Sequence, residues 1–405
     1  MKGCRFCKSK KTINILDLGK IPLSNNFIKQ NELIHTKKYN LEIFICSKCL
    51  LVQTRDVVNK NKIFNKDYLY YSSFSKSWLK HSKNLALDLI KEFNLNKSTQ
   101  VLEIASNDGY LLNFFKKEKI PCAGIEPSAS VAKIAKKKKI KTYINFFNKK
   151  FADKLIKKNI IPKIIIALNV LAHTPNLTDF VRGIKVLIQK KGICVIEFPH
   201  LLNLIKKFQF DTIYHEHFSY LSCNSVDYLA TKFGLKLFKL DQLETHGGSN
   251  RYWLTRQSLD RSKNLLQELA REKLLGLFDE NSWREAEYRK QNTLVEFKTW
   301  LIDCKKRGET VFGYGAAAKA STLLNAAKVD TDLLPKICDL SAEKVGRFMP
   351  AEDFEIISFS DFIDCKPDNV IVFPWNILEE ISKQIIGNWP DIKIWIAIPS
   401  LQRIH

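Results

Sequence analysis

The chain reads as an α/β protein of several units: a small cysteine-rich N-terminal module, a doubly wound nucleotide-type domain, and a second α/β unit at the C-terminal end. Three observations predict this. Two Cys-x-x-Cys pairs, Cys4/Cys7 and Cys46/Cys49, fall early in the chain. From about residue 99, short apolar runs alternate with amphipathic stretches, the pattern of a parallel sheet covered by helices. After a charged, helix-patterned stretch, Thr310-Val311-Phe312-Gly313-Tyr314-Gly315 restarts that alternation with a second strand and glycine turn.

At 405 residues the chain is too long for one ordinary core, and two or three domains are expected. We divide it into a zinc-binding module at 1–65, a nucleotide-type domain at 66–261, a helical connector at 262–306 and a C-terminal domain at 307–405. No apolar run reaches the roughly 18 residues of a spanning helix. No apolar signal core follows Met1-Lys2-Gly3-Cys4, so a cytoplasmic protein is expected. Ten cysteines in such a protein do not form a disulfide framework, and the six outside the pairs read as small buried thiols. The formal charge of +23 invites a nucleic-acid partner, but lysine is spread along the chain in a composition rich in Asn and Ile. An anionic substrate or an anionic surface fits the same charge, and no nucleic-acid partner is expected.

Along the first module, Leu16-Asp17-Leu18-Gly19 and Ile21-Pro22-Leu23-Ser24-Asn25 read as a turn-rich excursion, and Tyr39–Phe44 as a strand leading to Cys46. Trp78–Phe93 has helical periodicity. Strands are then predicted at Val101–Ala105, Cys122–Ile125, Ile164–Leu168 and Cys194–Phe198, with helices at Tyr110–Glu118, Ser128–Lys138 and Leu177–Gln189. Leu235–Leu243 and Arg251–Thr255 read as a closing hairpin around His246-Gly247-Gly248-Ser249.

Each Cys-x-x-Cys places two thiolates on one tight turn, and two turns supply the four-sulfur shell that zinc accepts. Such a shell leaves no open position, so Cys4, Cys7, Cys46 and Cys49 are predicted to hold a structural Zn2+. The competing readings are a redox dithiol and unrelated buried cysteines.

In a doubly wound sheet, ligands sit beyond the carboxyl ends of the strands. Glu103 and the turn Ala105-Ser106-Asn107-Asp108-Gly109 occupy that position, and Glu126-Pro127 ends the next strand with a carboxylate suited to ribose hydroxyls. A dinucleotide site would want Gly-x-Gly-x-x-Gly, which is absent here. A looser turn suits S-adenosylmethionine, which has no pyrophosphate to cradle and whose cationic sulfonium favours nearby carboxylates. The plain alternative is an ordinary strand end and turn.

Asp211-Thr212-Ile213-Tyr214-His215-Glu216-His217-Phe218-Ser219-Tyr220 is the densest polar and aromatic segment. A histidine here can act as a base, tuned by a neighbouring carboxylate or phenol. The rivals are a His215/His217 metal pair and a surface loop. His173 also falls at a strand end, in Asn169-Val170-Leu171-Ala172-His173, and His246 sits beside a Gly-Gly turn. Gly313-Tyr314-Gly315 with Lys319 suits a diphosphate at a helix N-terminus.

The ordered set of these motifs resembles the sugar C-methyltransferases that act on nucleotide-linked 4-keto-6-deoxysugars. The likeness rests on Cys4-Arg5-Phe6-Cys7, Leu16-Asp17-Leu18-Gly19 with Pro22-Leu23-Ser24, Cys46/Cys49 with Val52-Gln53, Glu103-Ile104 with Asn107-Asp108-Gly109, and Gly124-Ile125-Glu126-Pro127-Ser128. Phe210-Asp211-x-Ile213-Tyr214 with Glu216-His217-Phe218, His246-Gly247-Gly248, Gly313-Tyr314-Gly315-Ala316 with Lys319, and Trp375-Asn376 complete it. The resemblance implies a zinc-binding module, a class I (Rossmann-like) methyltransferase domain and a second Rossmann-like C-terminal domain. It implies His217 as catalytic base with Tyr214 and Glu216 as partners, and His173 and Tyr68 lining the reaction centre. The cofactor carboxylates would be Glu103 and Glu126, with Ala105 standing where many class I methyltransferases have Gly.

The reaction this implies begins with a C3 proton made acidic by the C4 ketone. His217 removes it, and the resulting enolate carbon takes the methyl group. The alternatives are O-methylation of a related sugar and methylation of nucleic acid. Amino-methylating enzymes of the latter class carry an Asp/Asn-Pro-Pro-Tyr-like motif, where this chain has Ala167-Leu168-Asn169-Val170.

Overall fold

The computed structural model describes residues 3–29, 36–55, 58–59, 63, 72–350 and 353–405. Three sheets organise the molecule. The first joins β1 (Thr12–Ile21), β2 (Tyr39–Cys46) and β3 (Val52–Thr54) in antiparallel order. The expected turn-rich excursion over Leu16–Gly19 is therefore a strand. Its register slips between Asn14 and Leu16 and again between Asp17 and Lys20, which lets the adjacent residues Ile15 and Leu16 both be buried. Gly19, with φ of 71°, supplies the second irregularity.

The second sheet holds β4 (Val101–Ile104), β5 (Cys122–Ile125), β6 (Lys141–Tyr143), β7 (Ile164–Leu168) and β8 (Ile193–Pro199), all parallel. The chain then crosses back: β9 (Ser219–Tyr220) pairs with β3 and completes the first sheet. It returns through β10 (Lys236–Leu243) and β11 (Ser249–Thr255), and β11 runs antiparallel to both β10 and β8. The order β10-β11-β8-β7-β4-β5-β6 confirms the predicted closing hairpin.

Burial on both faces explains the unbroken apolar strands. In β7, Ile165 and Ala167 enter one core while Ile164, Ile166 and Leu168 enter the other. Each such isoleucine contributes about 1.5–3 kcal/mol by burial. Helices on both faces begin at side-chain caps: Asn148 accepts from the Phe151 amide, Asn176 from Asp179, and Ser222 forms a reciprocal box with Ser225.

The connector is two helices, Lys263–Leu274 and Glu280–Lys306, broken at Gly276, whose φ is 68°. The longer helix packs Trp283, Phe297 and Leu301 into one core with Ile15, Leu16 and Leu18 of β1 and with Leu323 and Leu324 of the C-terminal domain. The third sheet follows the order β14-β13-β12-β15-β16-β17. It comprises β12 (Val311–Tyr314), β13 (Lys336–Cys338), β14 (Glu355–Ile357), β15 (Asn369–Val372) and β16 (Lys393–Ile396), all parallel, with β17 (Gln402–Arg403) antiparallel at the edge. Among the described residues no helix is long and apolar enough to cross a membrane.

Candidate active site and zinc centre

Each cysteine pair closes into a turn. The Lys8 amide donates to the Cys4 carbonyl and the Leu50 amide to that of Cys46, with Lys8 and Leu50 both at positive φ. The four sulfurs lie within 4.8 Å of one another, with Cys4 to Cys49 at 3.5 Å and Cys7 to Cys46 at 3.4 Å. A tetrahedral zinc with Zn–S bonds of about 2.3 Å wants sulfurs roughly 3.8 Å apart, so the cluster fits the ion with little movement. The Cys49 thiol, the backbone N–H of Cys7 and the Gln53 amide all point at Cys4 Sγ and, against burial, hold its thiol down to about 4. An all-sulfur shell with no open position makes Zn2+ a structural ion here.

The cofactor end of the second sheet collects carboxylates. Glu103, at the end of β4, is 1% exposed, and neither of its oxygens makes a hydrogen bond of normal geometry. Burial, reinforced by Asp108 and Glu126, pushes its pKa well above the usual range, the Tyr110 phenol opposing. Glu126 accepts from the amides of Asn107 (3.0 Å) and Ser128 (2.8 Å), and burial still lifts it to about 7. Ala105, Asn107 and Gly109 all have positive φ, so the turn curls tightly around the strand end. Gly109, at φ 77°, is where a side chain would be strained, and a Cβ there would also crowd Ile140 and Ala135, at 2.6 and 3.2 Å. Ala105, at φ 58°, carries a local cost of about 1–2 kcal/mol. Asp108 is buried beside Ser73 and Lys138 with Oδ1 unpartnered, and Asn107 Oδ1 accepts from the Ser72 amide. Pro127 follows at the rim, half-buried. Asn169, at φ 51° after β7, leaves Oδ1 unpartnered. Orphaned buried acceptors at the ends of the two adjacent strands β4 and β7 fit a ligand that brings hydroxyl and ammonium donors, as S-adenosylmethionine does.

The histidine segment lies against this end of the sheet. His217 Nδ1 is 2.9 Å from the Thr212 carbonyl, so that nitrogen carries the proton and Nε2 keeps its lone pair. Burial, then the neighbouring His173, push its pKa well below 6.5, with the Thr212 carbonyl opposing and His246 and Lys319 adding. The ring lies 4.1 Å from Tyr214 and 4.7 Å from His173 between centroids. His173, just past β7, has Nδ1 2.9 Å from the Glu216 carbonyl, and burial takes it down to about 4. His246 sits at φ 54°, 5.0 Å from Trp78, with Nε2 3.2 Å from Asn169 Nδ2. Asn169 and His173 thus bridge the cofactor strand to the two other imidazoles.

Several expected residues sit differently. The Glu216 side chain turns away from His217 to accept from Asn25 Nδ2 at 3.2 Å, leaving only its main chain toward the cluster. Burial raises its pKa. His215 packs on β2, with Nε2 3.3 Å from the carbonyls of Tyr39 and Asn40, so it shares no metal with His217. Tyr68 lies outside the described residues. The Gly313-Tyr314-Gly315 turn is shaped by packing: a Cβ would strike Phe373 at 2.7 Å from Gly313 and Pro374 at 2.3 Å from Gly315. Tyr314 is buried beside Phe359 and Phe362, its hydroxyl donating to Gln384 at 3.1 Å, so the expected diphosphate cradle is not formed by its side chain. Lys319 alone of that motif reaches the imidazoles. Its ammonium bonds Asn376, lies 3.8 Å over the Trp375 ring, and is brought down to about 8 by burial, Asp211 opposing.

Sequence reasoning assigned no role to the groups that hold these in place. Asp211, lifted to about 6 by burial, accepts from Trp375 Nε1 at 2.7 Å and ties the C-terminal domain to the histidine segment. Glu197, at the end of β8, takes His81 Nε2 at 2.8 Å and Arg251 at 3.0 Å. His81 in turn stacks on Trp78 at 5.0 Å. The ending Glu197-Phe198-Pro199 was the available signal; its partners are distant in sequence.

A doubly wound sheet closed by an antiparallel hairpin, with carboxylates at the ends of its first two strands, defines an S-adenosylmethionine-dependent methyltransferase. Three family models match in succession: a zinc binding domain at residues 4–64, a methyltransferase domain at 78–240 and a C-methyltransferase C-terminal domain at 244–396. Together the three matches span most of the chain, in the order zinc binding, methyltransferase and C-methyltransferase C-terminal domain. It is similar to the C-methyltransferase NovU of Streptomyces niveus, 26% identical over 391 residues that span 95% of this chain and 93% of NovU. It also has a likeness to magnesium protoporphyrin IX methyltransferase (ChlM) of Synechocystis PCC 6803, at TM-score 0.35 and 13% identity over 44% of this chain and 83% of that one. A methyltransferase from Archaeoglobus fulgidus gives TM-score 0.33 at 14% identity, over 43% of this chain and 93% of that one.

Proposed function

We propose that the protein methylates a carbon next to the ketone of a nucleotide-linked 4-keto-6-deoxysugar, C3 being the carbon whose proton the ketone acidifies, with His217 as the base. The observation that carries this is the single hydrogen bond of His217 Nδ1 to the Thr212 carbonyl in a ring held neutral. That arrangement presents a basic Nε2 at neutral pH. When bound, S-adenosylmethionine supplies an electrophilic methyl group. Glu103 and Glu126 are the residues that would hold it, by its ammonium and ribose hydroxyl donors, with Asn107, Asp108 and Asn169 around them. Nε2 of His217 takes the C3 proton, while the Tyr214 phenol and the Lys319 ammonium offer donors for charge developing on the ketone oxygen. Lys319 is the cation available on the substrate side for the nucleotide's anionic groups, while His246, which burial takes down to about 4, stands beside it as a neutral hydrogen-bonding ring. The cluster is half-buried between the methyltransferase and C-terminal domains, which restricts access of water to the enolate.

The test pairs labelled S-adenosylmethionine with a panel of nucleotide 4-ketosugars and their 4-hydroxy counterparts, with NMR locating the label. The reading expects label on carbon, only with ketosugars. Label on oxygen, or on the 4-hydroxy compounds, overturns it.

A further inference from the structure

The zinc knuckle lies against the segment that carries the proposed base, and one side chain spans the two. Arg5, inside the first Cys-x-x-Cys turn, is 8% exposed. Its main-chain N–H donates to Gln53 Oε1 at 2.9 Å, and Gln53 Nε2 reaches Cys4 Sγ at 3.2 Å, so its backbone is locked to the sulfur shell. Its guanidinium donates to the carbonyls of Thr54 and Phe218 and approaches Ser219 Oγ at 3.4 Å. Phe218 directly follows His217. The same carbonyl accepts from the Thr54 amide at 3.2 Å, and β3 pairs with β9 just beyond, at Gln53↔Ser219 and Val52↔Tyr220.

We propose that Arg5 is a positioning residue: it couples the four-cysteine zinc shell to the backbone that sets the orientation of the His217 imidazole. The planar guanidinium is suited to this, since its fork holds two carbonyls at once where a lysine ammonium would offer one mobile point charge. A displacement of about 1 Å at a reacting group can lower turnover on the order of 100-fold. The zinc site therefore contributes to the reaction geometry as well as to folding. This rests on His217 as the base.

The experiment uses full-length, zinc-loaded protein with Arg5→Met and Arg5→Lys. Metal analysis and calorimetry with S-adenosylhomocysteine check that the shell and the cofactor site are intact. The deciding readout is the imidazole 15N spectrum, with His217 assigned by His217→Asn. We expect zinc content and cofactor affinity to stay within about two-fold of wild type in both variants. In Arg5→Met the single Nδ1–H form of His217 should give way to a tautomer mixture, with Arg5→Lys intermediate. On an accepted ketosugar, turnover should fall on the order of 10- to 100-fold. An unchanged His217 spectrum in folded, zinc-loaded Arg5→Met overturns the coupling. Should Arg5→Met fail to fold, an unchanged spectrum in Arg5→Lys overturns it equally. Because the spectrum needs no substrate, this outcome is separate from the fate of the proposed reaction, which wild-type turnover on ketosugars decides.

Discussion

Replacing Glu126 by Gln should reduce the pH dependence of cofactor binding. In the ligand-free protein this carboxyl is 6% exposed, and burial lifts it from 4.5 to about 7 although two backbone amides point at it. The difference corresponds to about 3 kcal/mol for ionising the group in place. Between 4.5 and about 7 the folded chain holds the proton more tightly than the unfolded chain, so ligand-free stability declines as pH rises through that window and levels off above it. The neutral carboxyl offers fewer and weaker acceptors than the carboxylate, so ribose hydroxyl donors favour the ionised form and binding is coupled to loss of the proton. Affinity for S-adenosylhomocysteine should then strengthen about 100-fold from about pH 5 to about pH 8 and flatten above about 7. Calorimetric titration across that range measures it. The Gln variant should bind more weakly and with a shallower pH slope, the remainder being set by Glu103, and above neutrality its ligand-free form should melt no lower than wild type. One of the two amides loses its acceptor in Gln, at about 1–3 kcal/mol, which offsets most of the relief from the buried charge. Parallel pH slopes in the two proteins would refute the assignment of Glu126 to the ribose.

Three further outcomes follow from the geometry. His217→Asn should lower turnover on the order of 10²- to 10⁴-fold while calorimetry finds S-adenosylhomocysteine affinity nearly unchanged, because the ring lies outside the carboxylate turn. Cys4→Ser should lower both zinc content and the yield of folded protein, and full activity in metal-free protein would contradict a structural ion. Glu197→Leu should destabilise the protein by about 3–5 kcal/mol in urea unfolding, because Arg251, 7% exposed, and His81 lose their shared partner. Burial alone would raise the Glu197 pKa, but the His81 hydrogen bond and the Arg251 charge outweigh it and lower it. Wild type should therefore keep this stabilisation above 4.5 and lose it on acidification, and the variant should show less of that acid sensitivity.

The strands were legible where burial on both faces forces an unbroken apolar run, as in Ile164–Leu168, and the cysteine spacing announced its own chemistry. Local pattern failed at β1, where two register slips disguise the alternation and Asp17-Leu18-Gly19 imitates a turn. It is ambiguous at Gly313-Tyr314-Gly315, because a glycine packed against Phe373 and Pro374 reads the same as one that admits a phosphate. Glu216 and His217 are neighbours in sequence, yet their side chains part, one to Asn25 and one to the imidazole cluster. The ties Asp211–Trp375, Glu197–Arg251 and Arg5–Phe218 join residues 164, 54 and 213 positions apart, which no spacing rule reaches.

The pairing of β3 with β9 bears on how the polypeptide matures during synthesis. The cysteine knuckle is translated first, but the strand that covers its open edge belongs to residues 219–220. A nascent chain stopped before that point presents a sheet margin with unpaired amides and carbonyls and a guanidinium left with the Thr54 carbonyl and without that of Phe218. Early metal capture would then precede completion of its surroundings, and a fragment cut at residue 65 would be expected to self-associate along that margin.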